Sequence, residues 1–568
     1  MIELNGMKGR SLRMMLAACA FAIGCLAVPA SSQALLAPSL ALDALKGPSS
    51  HGPHGMTEFN GEIFYAGLTD KGVELMAFDG RRARVVKDIS PGPRSSYPED
   101  FTEMGGHLYF SADDGTTGGE LWRTDGTNTT RVADINPGKE GSWPYQFQAM
   151  GNQLFFSAYT EEAGSEPWKT DGANTTMLAD LYPGTSDSNP RDFTALDGKV
   201  YFSAATTTTG VELFRSDGGA PELVFDIDPG TDNGNPEYLT EMGGHIYFAA
   251  SDGVNGTEIW RTDGTTTAMF ADIRPGGSSY PVSLTASENR VYFSASDGVH
   301  GYEPWQTDGT STTMVKDIRT GSESSYPNDF TPISGDRMIF NAQDETNGYE
   351  PWIADGASAT RFEVEPGPAS SNPAQFFEHQ GDIYFRASRD PMGSELWAIT
   401  NGSVQLVREI LPGTSGSSPR EFISTSFGTF FSADDGTHGR EIWRLAPPDT
   451  TVTVKFGKTL KFKRGRPSTL AIRCPAAESS GPCSGTFTLS TKRKVKRGRK
   501  KTRVTLQTGR FSAEAGSAAR LKVRLGRVER KLLRRNPAAR KLLLIVKVKD
   551  TAGNTRTVRG TIKAKVTR

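Results

Sequence analysis

One glutamate recurs through most of this chain at an almost constant interval. Glu74, Glu120, Glu166, Glu212, Glu258, Glu303, Glu350, Glu395 and Glu441 are spaced 46, 46, 46, 46, 45, 47, 45 and 46 residues apart. A period of this length marks stacked supersecondary units that bury apolar faces against their neighbours. The unit is clearest at 108–135, LYFSADDGTTGGELWRTDGTNTTRVADI.

Each unit predicts four short strands. In the second copy they are a strand around Phe101–Met104, the apolar-alternating LYFSA, then ELWRT, then TTRVADI. Between the third and fourth stand Asp79-Gly80, Asp125-Gly126, Asp171-Gly172, Asp217-Gly218, Asp263-Gly264, Asp308-Gly309 and Asp355-Gly356, with Asn401-Gly402 in copy eight. Asp-Gly and Asn-Gly accept positive φ and predict two-residue hairpin turns. Four antiparallel strands per unit fit a blade of a β-propeller.

The ends of the array bear on closure. Copy nine runs through Glu441-Ile442-Trp443 and meets Pro447-Pro448 where its Asp-Gly turn belongs, so its fourth strand is missing. Ser39–Asp43 (SLALD) stands before copy one at the offsets of a fourth strand. Pairing the two zips the ring shut and removes free sheet edges. The copies count nine blades; eight with one displaced unit stays open, since propellers usually have about four to eight. The fold class is therefore all-β, with the propeller at 38–446, a linker at 447–450 and a second domain at 451–568.

The repeats resemble the ELWxxDGT-repeat family of bacterial secreted proteins, through ELWRTDGT from Glu120, EIWRTDGT from Glu258 and EPWQTDGT from Glu303. That resemblance implies a propeller and little about activity. Ala112, Asp114, Thr117, Gly118 and Trp122 also resemble the tryptophan-docking motif of quinoprotein-type propellers, in which the indole packs between blades. The resemblance implies the same structural role for Trp122, Trp168, Trp260, Trp305, Trp352, Trp397 and Trp443, with Met76 and Phe214 as variants.

Gly is 62 and Pro 33 of 568 residues, which suits strands and turns and argues against an all-helical chain. The net charge of −1 averages two opposite halves. Residues 451–568 hold 34 Lys and Arg against Glu478, Glu514, Glu529 and Asp550, a net of +30; residues 1–450 carry −31. Such a split predicts two modules with different partners.

Lys8, Arg10 and Arg13 precede an apolar run from Met14 to Ala30, which predicts a signal peptide over 1–34. A lipoprotein form with lipid on Cys25 is the alternative. Beyond the leader only Cys474 and Cys483 remain, nine positions apart, and in an exported chain they predict a local disulfide.

Chemistry is sparse. No HExxH and no GxSxG appears, and the propeller lacks cysteine. His107 and His245 share one repeat position; His300 and His438 share a turn. The aspartates ending the fourth strands, Asp88 and Asp134 among them, recur with the blade. No catalytic, cofactor or zinc residue is assigned. Oxygen-rich turns such as SADDGTTG leave Ca2+ open as a stabiliser. One position varies while its frame repeats: before the Pro that opens the first strand stand Tyr97, Trp143, Asn189, Asn235, Tyr280, Tyr326, Asn372 and Ser418. Tyr97, Trp143, Tyr280 and Tyr326 are the candidate ligand rim, suited to stacking on sugars or gripping a protein loop; local packing on the Pro is the alternative.

From Thr451 strand alternation predicts about seven strands, a short helix at Val528–Arg535 and a turn at Asp550–Asn554. The CPxxxxxGPCSGTxTL stretch and DTAGNTRT resemble the basic, immunoglobulin-like C-terminal modules of secreted actinobacterial proteins. Lys492, Arg493, Lys494, Lys496 and Arg497 form a basic patch for anionic wall or surface polymers, without specific nucleic-acid recognition. The expected function is an exported, non-enzymatic, monomeric binding or scaffold protein, held to the envelope by its basic domain. The alternative is a glycan hydrolase or lyase with carboxylates in the propeller channel.

Overall fold

A computed structural model describes residues 36–44, 49–446, 454–463, 467–474, 483–497, 500–513, 517–549 and 555–566. The leader, Cys25, the linker at 447–450 and the turn at 550–554 lie outside the described residues.

Nine four-stranded antiparallel sheets follow the repeat. Blade 2 is typical: Glu99–Met104, His107–Asp113, Gly119–Thr124 and Thr129–Arg131, in sheet order. The first strand of each blade lies against that of the next, and Arg420–Thr425 of blade 9 lies against His54–Phe59 of blade 1. The nine first strands therefore close a ring around an axial channel. Blade 9 is completed from the other end of the chain: Ala37–Leu40 pairs antiparallel with Arg440–Ala446, Leu40 opposite Trp443. The zipped nine-blade ring is as expected, but its closing strand begins two residues earlier than Ser39 and ends at Leu40. Ala41 and Leu42 both donate to the Ile442 carbonyl, a bulge that turns Asp43 out of the ladder.

Burial explains the blade sequence. The second strand was expected to alternate, yet Leu108, Tyr109, Phe110, Ser111 and Ala112 are all buried. A blade inside the ring has a neighbour on both faces, so neither side of its middle strands meets water. Trp122 packs with Leu75, Ala77 and Phe110, joining blade 2 to blade 1. Trp260, Trp397 and Trp443 hold the same place in their clusters. Met76 and Phe214 fill the slot as variants. The once-per-blade aromatic supplies apolar area between sheets.

The repeated Glu is buried in all nine blades. Glu120 accepts hydrogen bonds from the N–H groups of Ile135, Asn136 and Ser142 and from the Ser142 hydroxyl at 2.7 Å. Ile135–Ser142 is the crossover from blade 2 to blade 3, so this carboxylate fastens the crossover to its blade. Glu166, Glu258, Glu303 and Glu395 repeat the set with Ser188, Ser279, Ser325 and Ser417.

The turn chemistry differs from expectation. Thr124 pairs with Thr129, so the Asp125-Gly126 loop spans four residues, with Asp125 Oδ1 accepting from the N–H groups of Thr127 and Asn128. Aspartate is there to cap the turn, and Gly126 takes the positive φ of 93°. Only Asn401-Gly402 makes the expected two-residue turn among these sites, between paired Thr400 and Ser403.

The C-terminal part is a sandwich of a three-stranded and a five-stranded sheet around one core. Thr459–Phe462 and Thr555–Val566 run parallel within it. The helix, Arg527–Arg535, falls where expected, and Asn536 ends it. Cys474 and Cys483 are bridged, with Cα atoms 5.7 Å apart, and both are buried.

Candidate functional site

Antiparallel alternation sends the second-to-third-strand turns and the crossovers between blades to one face of the ring. The Asp-Gly loops emerge on the other. All the candidate rim residues therefore share a face with the SADDGTTG turns.

The crossover geometry imposes a strained conformation at the rim. Ser142 and Trp143 both donate their N–H groups to the Gly119 carbonyl, at 2.9 and 2.8 Å. Ser279 and Tyr280 do the same to Thr257, and Ser325 and Tyr326 to Tyr302. The second of these residues lies in the left-handed region in each blade, whether one amide or both reach the carbonyl. Tyr97, Trp143, Asn189, Asn235, Tyr280, Tyr326, Asn372 and Ser418 all have φ between 44° and 48°, and Gly52 stands at 62° in the ninth crossover. Glycine and asparagine adopt this region at little cost, whereas an aromatic residue pays for it. Tyr97, Trp143, Tyr280 and Tyr326 nevertheless occupy it with side chains 50–55% exposed.

Two of these aromatics belong to larger surfaces. Trp143 lies over Gly119, where a Cβ would stand 2.4 Å from its ring, and its Nε1 donates to the Glu140 carbonyl at 2.7 Å. Trp143, Tyr145 and Tyr159 wall a cavity of about 320 Å³ between blades 2 and 3, with Glu99 and Asp100 at its inner side. Desolvation raises the Asp100 carboxyl above its ordinary value, against an opposing hydrogen bond from the Gln146 backbone. On blades 6 and 7, Tyr326 stacks on Tyr302 with ring centroids 6.1 Å apart. Burial raises the phenols of Tyr302 and Tyr349, and Tyr280 and Tyr326 lie close enough to add to the effect.

A second left-handed residue follows in every first strand, at the bulge where the ladder shifts register: Asp100, Gln146, Asp192, Tyr238, Ser283, Asp329, Gln375 and Glu421, with Gly55. Sequence reasoning missed this ring, although its place two residues after the Pro was readable. Its carboxylates and amides tie blades together. Gln146 accepts from the N–H of Asp192, Asp192 from that of Tyr238, and Glu421 from that of Gly55.

The SADDGTTG turn is closed by its own groups. Asp114 Oδ1 accepts from the N–H and hydroxyl groups of Thr116 and Thr117. Among the described residues no group of three or more His, Cys, Asp or Glu is placed to hold a metal ion. His300 and His438 sit in this turn, each with Nδ1 2.7 Å from an aspartate, which raises both imidazoles.

In the sandwich, Lys492, Arg493 and Lys494 are exposed. Lys496 and Arg497 follow on the strand Val495–Arg497, which pairs with Lys500–Thr502 as a hairpin. No helix among the described residues is long and apolar enough to cross a membrane.

No protein-family model matches the chain, and no curated protein matches it. Solved structures do. One of two prolyl endopeptidases is 9% identical, covering 67% of this chain and 54% of its own, at a TM-score of 0.37. The chain thus spans about half the length of that relative. A GH74 xyloglucanase from Xanthomonas campestris is 12% identical over 93% of this chain and 80% of its own, at 0.30. An Aleuria aurantia lectin in complex with a fucoside is 13% identical over 46% and 92%, at 0.23.

Proposed function

We propose that the protein is an exported binding protein of the ELWxxDGT-repeat type, whose propeller recognises a glycan and whose basic sandwich holds it to anionic envelope polymers. The observation that carries the recognition half is the set of exposed aromatics in left-handed crossovers. The same frame uses Gly52, Asn189, Asn235 and Asn372 without strain, so Tyr97, Trp143, Tyr280 and Tyr326 cost stability where a cheaper residue serves the fold equally well. Flat, exposed aromatic faces stack on sugar rings. The channel carboxylates do not favour the hydrolase alternative: several spend an oxygen on the backbone of the next blade.

The anchoring half rests on charge. A +30 module with Lys492, Arg493 and Lys494 exposed attracts polyanions, and the attraction between exposed charges is screened within about 8–10 Å near physiological salt. The disulfide fits an oxidising compartment.

The test is retention of the purified full-length protein on insoluble neutral polysaccharides and on anionic wall material. Trp143→Ala with Tyr326→Ala should abolish the first and spare the second. Neutralising Lys492, Arg493 and Lys494 should do the reverse, with steep salt dependence. Unchanged retention of both variants on both materials sinks the proposal.

A further inference from the structure

The repeat positions that wall the cavity beside Trp143 recur at each crossover, but with different side chains. Between blades 2 and 3 three of those positions are Ser111, Tyr145 and Ser165. The residues 275 positions further on, between blades 8 and 9, are Arg386, Arg420 and Arg440. Register confirms the equivalence. Arg386 faces Ala374 as Ser111 faces Glu99, Arg420 faces Ser432 as Tyr145 faces Ser157, and Arg440 faces Asp434 as Ser165 faces Tyr159.

We infer that the three arginines at the crossover between blades 8 and 9 bind the carboxylate of an acidic sugar unit in a glycan held on the aromatic face. The inference rests on the glycan reading above and adds the chemical class of the ligand.

Three arginines converge there on a propeller that is otherwise strongly acidic. Arg440 is fixed in place: Nη1 donates to the carbonyls of Ser418 at 2.8 Å and Ser432 at 3.4 Å, and Nη2 to that of Ser417 at 3.4 Å. Its head thus lies against Ser432, the cross-strand partner of Arg420. Burial, with Arg420 and Arg386 as like-charged neighbours, lowers the Arg440 guanidinium to about 10. Neither Arg386 nor Arg420 has a side-chain hydrogen bond or ion pair among the described residues.

The nearby acids form no ion pair with these arginines, although Arg386 is close enough to Asp329 to oppose the desolvation of that carboxyl. Glu421 accepts from the N–H of Gly55, Asp434 from that of Gly436, and Asp329 from the Asn341 amide. Two guanidinium forks without hydrogen-bond partners, beside a third, rigid one, make a site for a planar anion, since Arg pairs carboxylate through two parallel hydrogen bonds. Ser418, the smallest side chain at the left-handed position after Gly52, stands beside these arginines where other blades carry an aromatic.

The experiment is calorimetric titration of the full-length protein with matched neutral and uronate-bearing oligosaccharides: cellotetraose, xylotetraose, tetragalacturonate and a glucuronate-substituted xylotetraose. Arg386→Gln with Arg420→Gln should weaken the uronate-bearing ligands at least tenfold, leave the neutral ones unchanged and melt like the parent. A control neutralising Lys492, Arg493 and Lys494 should leave the affinity for these short ligands unchanged. Equal uronate affinity in parent and arginine variant overturns the inference while leaving glycan recognition standing. Loss only in the lysine control, or tighter binding of a glutamate-rich peptide than of any uronate, also overturns it. Failure of every oligosaccharide to bind the parent overturns the glycan reading itself, and the inference with it.

Discussion

The Glu441 carboxylate accepts a hydrogen bond from the backbone N–H of Ala44 at 3.1 Å, across 397 residues of sequence. In blade 1 the same bond runs from Ile89 to Glu74 across 15. The seam thus reuses the local staple of the repeat to join the two ends of the propeller. Leu36 N–H donates to the Tyr384 hydroxyl, and Arg408 donates to the Pro38 carbonyl, so the closing strand is also tied to blade 8.

Removal of Ala37–Leu40 should therefore uncover Trp443 and the edge of Arg440–Ala446. The expected outcome by calorimetry is a single transition lowered by about 5 °C or more, with new concentration-dependent association from the exposed edge. A truncated chain that melts like the parent contradicts the zipped ring.

Stability should fall as pH rises through neutrality. Burial raises the repeated glutamates above their ordinary value, to about 7 for Glu212, Glu303 and Glu350. Their folded form holds a proton more tightly than the unfolded chain does. Their contribution is thus fully present below about pH 4.5 and is lost as pH climbs through 7. The turn aspartates act oppositely: backbone hydrogen bonds lower Asp125, and the Thr310 and Ser311 groups lower Asp308, each to about 2, so their contribution is lost as pH falls below about 4. Melting temperature should peak between about pH 4 and 5 and drop several degrees by pH 8. Glu303→Gln should flatten part of that slope, measured by thermal melts in a constant-ionic-strength buffer series.

The seam also carries three coupled departures from the repeat. His51 replaces the usual crossover serine, Tyr65 the usual phenylalanine and Gly67 the usual alanine. The buried His51 ring sits between the Tyr65 hydroxyl at 2.9 Å and the Leu68 carbonyl at 2.6 Å, and a Cβ on Gly67 would lie 2.6 Å from His51 Nε2. Gly67→Ala alone should cost about 1–3 kcal/mol by overpacking. Adding His51→Ser and Tyr65→Phe, which restores the repeat sequence, should recover most of it. Denaturant titration of the single and triple variants measures the coupling; additive losses refute it.

Strain at the rim has a measurable sign. Tyr97→Asn and Tyr280→Asn replace an exposed aromatic at φ of 45–46° with the residue other blades use there. Each should raise stability by about 0.5–1 kcal/mol, relieving part of a left-handed penalty of about 1–2 kcal/mol, while weakening retention on polysaccharide. A variant that loses stability would mean the aromatic packs for the fold.

Periodicity made the architecture legible, because nine near-identical units must be similar structures, and the missing fourth strand of copy nine pointed to its partner. What the pattern hid was conformational. Asp125-Gly126 looked like a two-residue turn, but side-chain capping by Asp125 favours a longer loop whose length the dipeptide does not encode. LYFSA looked half-exposed because alternation was read for one sheet, and stacking of blades on both sides buries every position. The rim aromatics were visible as variation in a fixed frame. Their left-handed backbone was not, since tyrosine and tryptophan do not by themselves signal a positive φ. Arg386, Arg420 and Arg440 were overlooked for another reason: they are far apart in sequence, and only superposing blade on blade brings them to one wall.

The strand that closes the ring precedes the nine repeats in the chain, and its partner ends at residue 446. Until that residue has emerged, whether from a ribosome or a secretion pore, the propeller is an unfinished arc with an unpaired sheet at each end. The ring cannot close before its ninth blade has been delivered. The last step is a search of one end of the propeller for the other while the highly cationic tail is still arriving, so conditions that slow delivery of the ninth blade lengthen the period in which two molecules can exchange their closing strands.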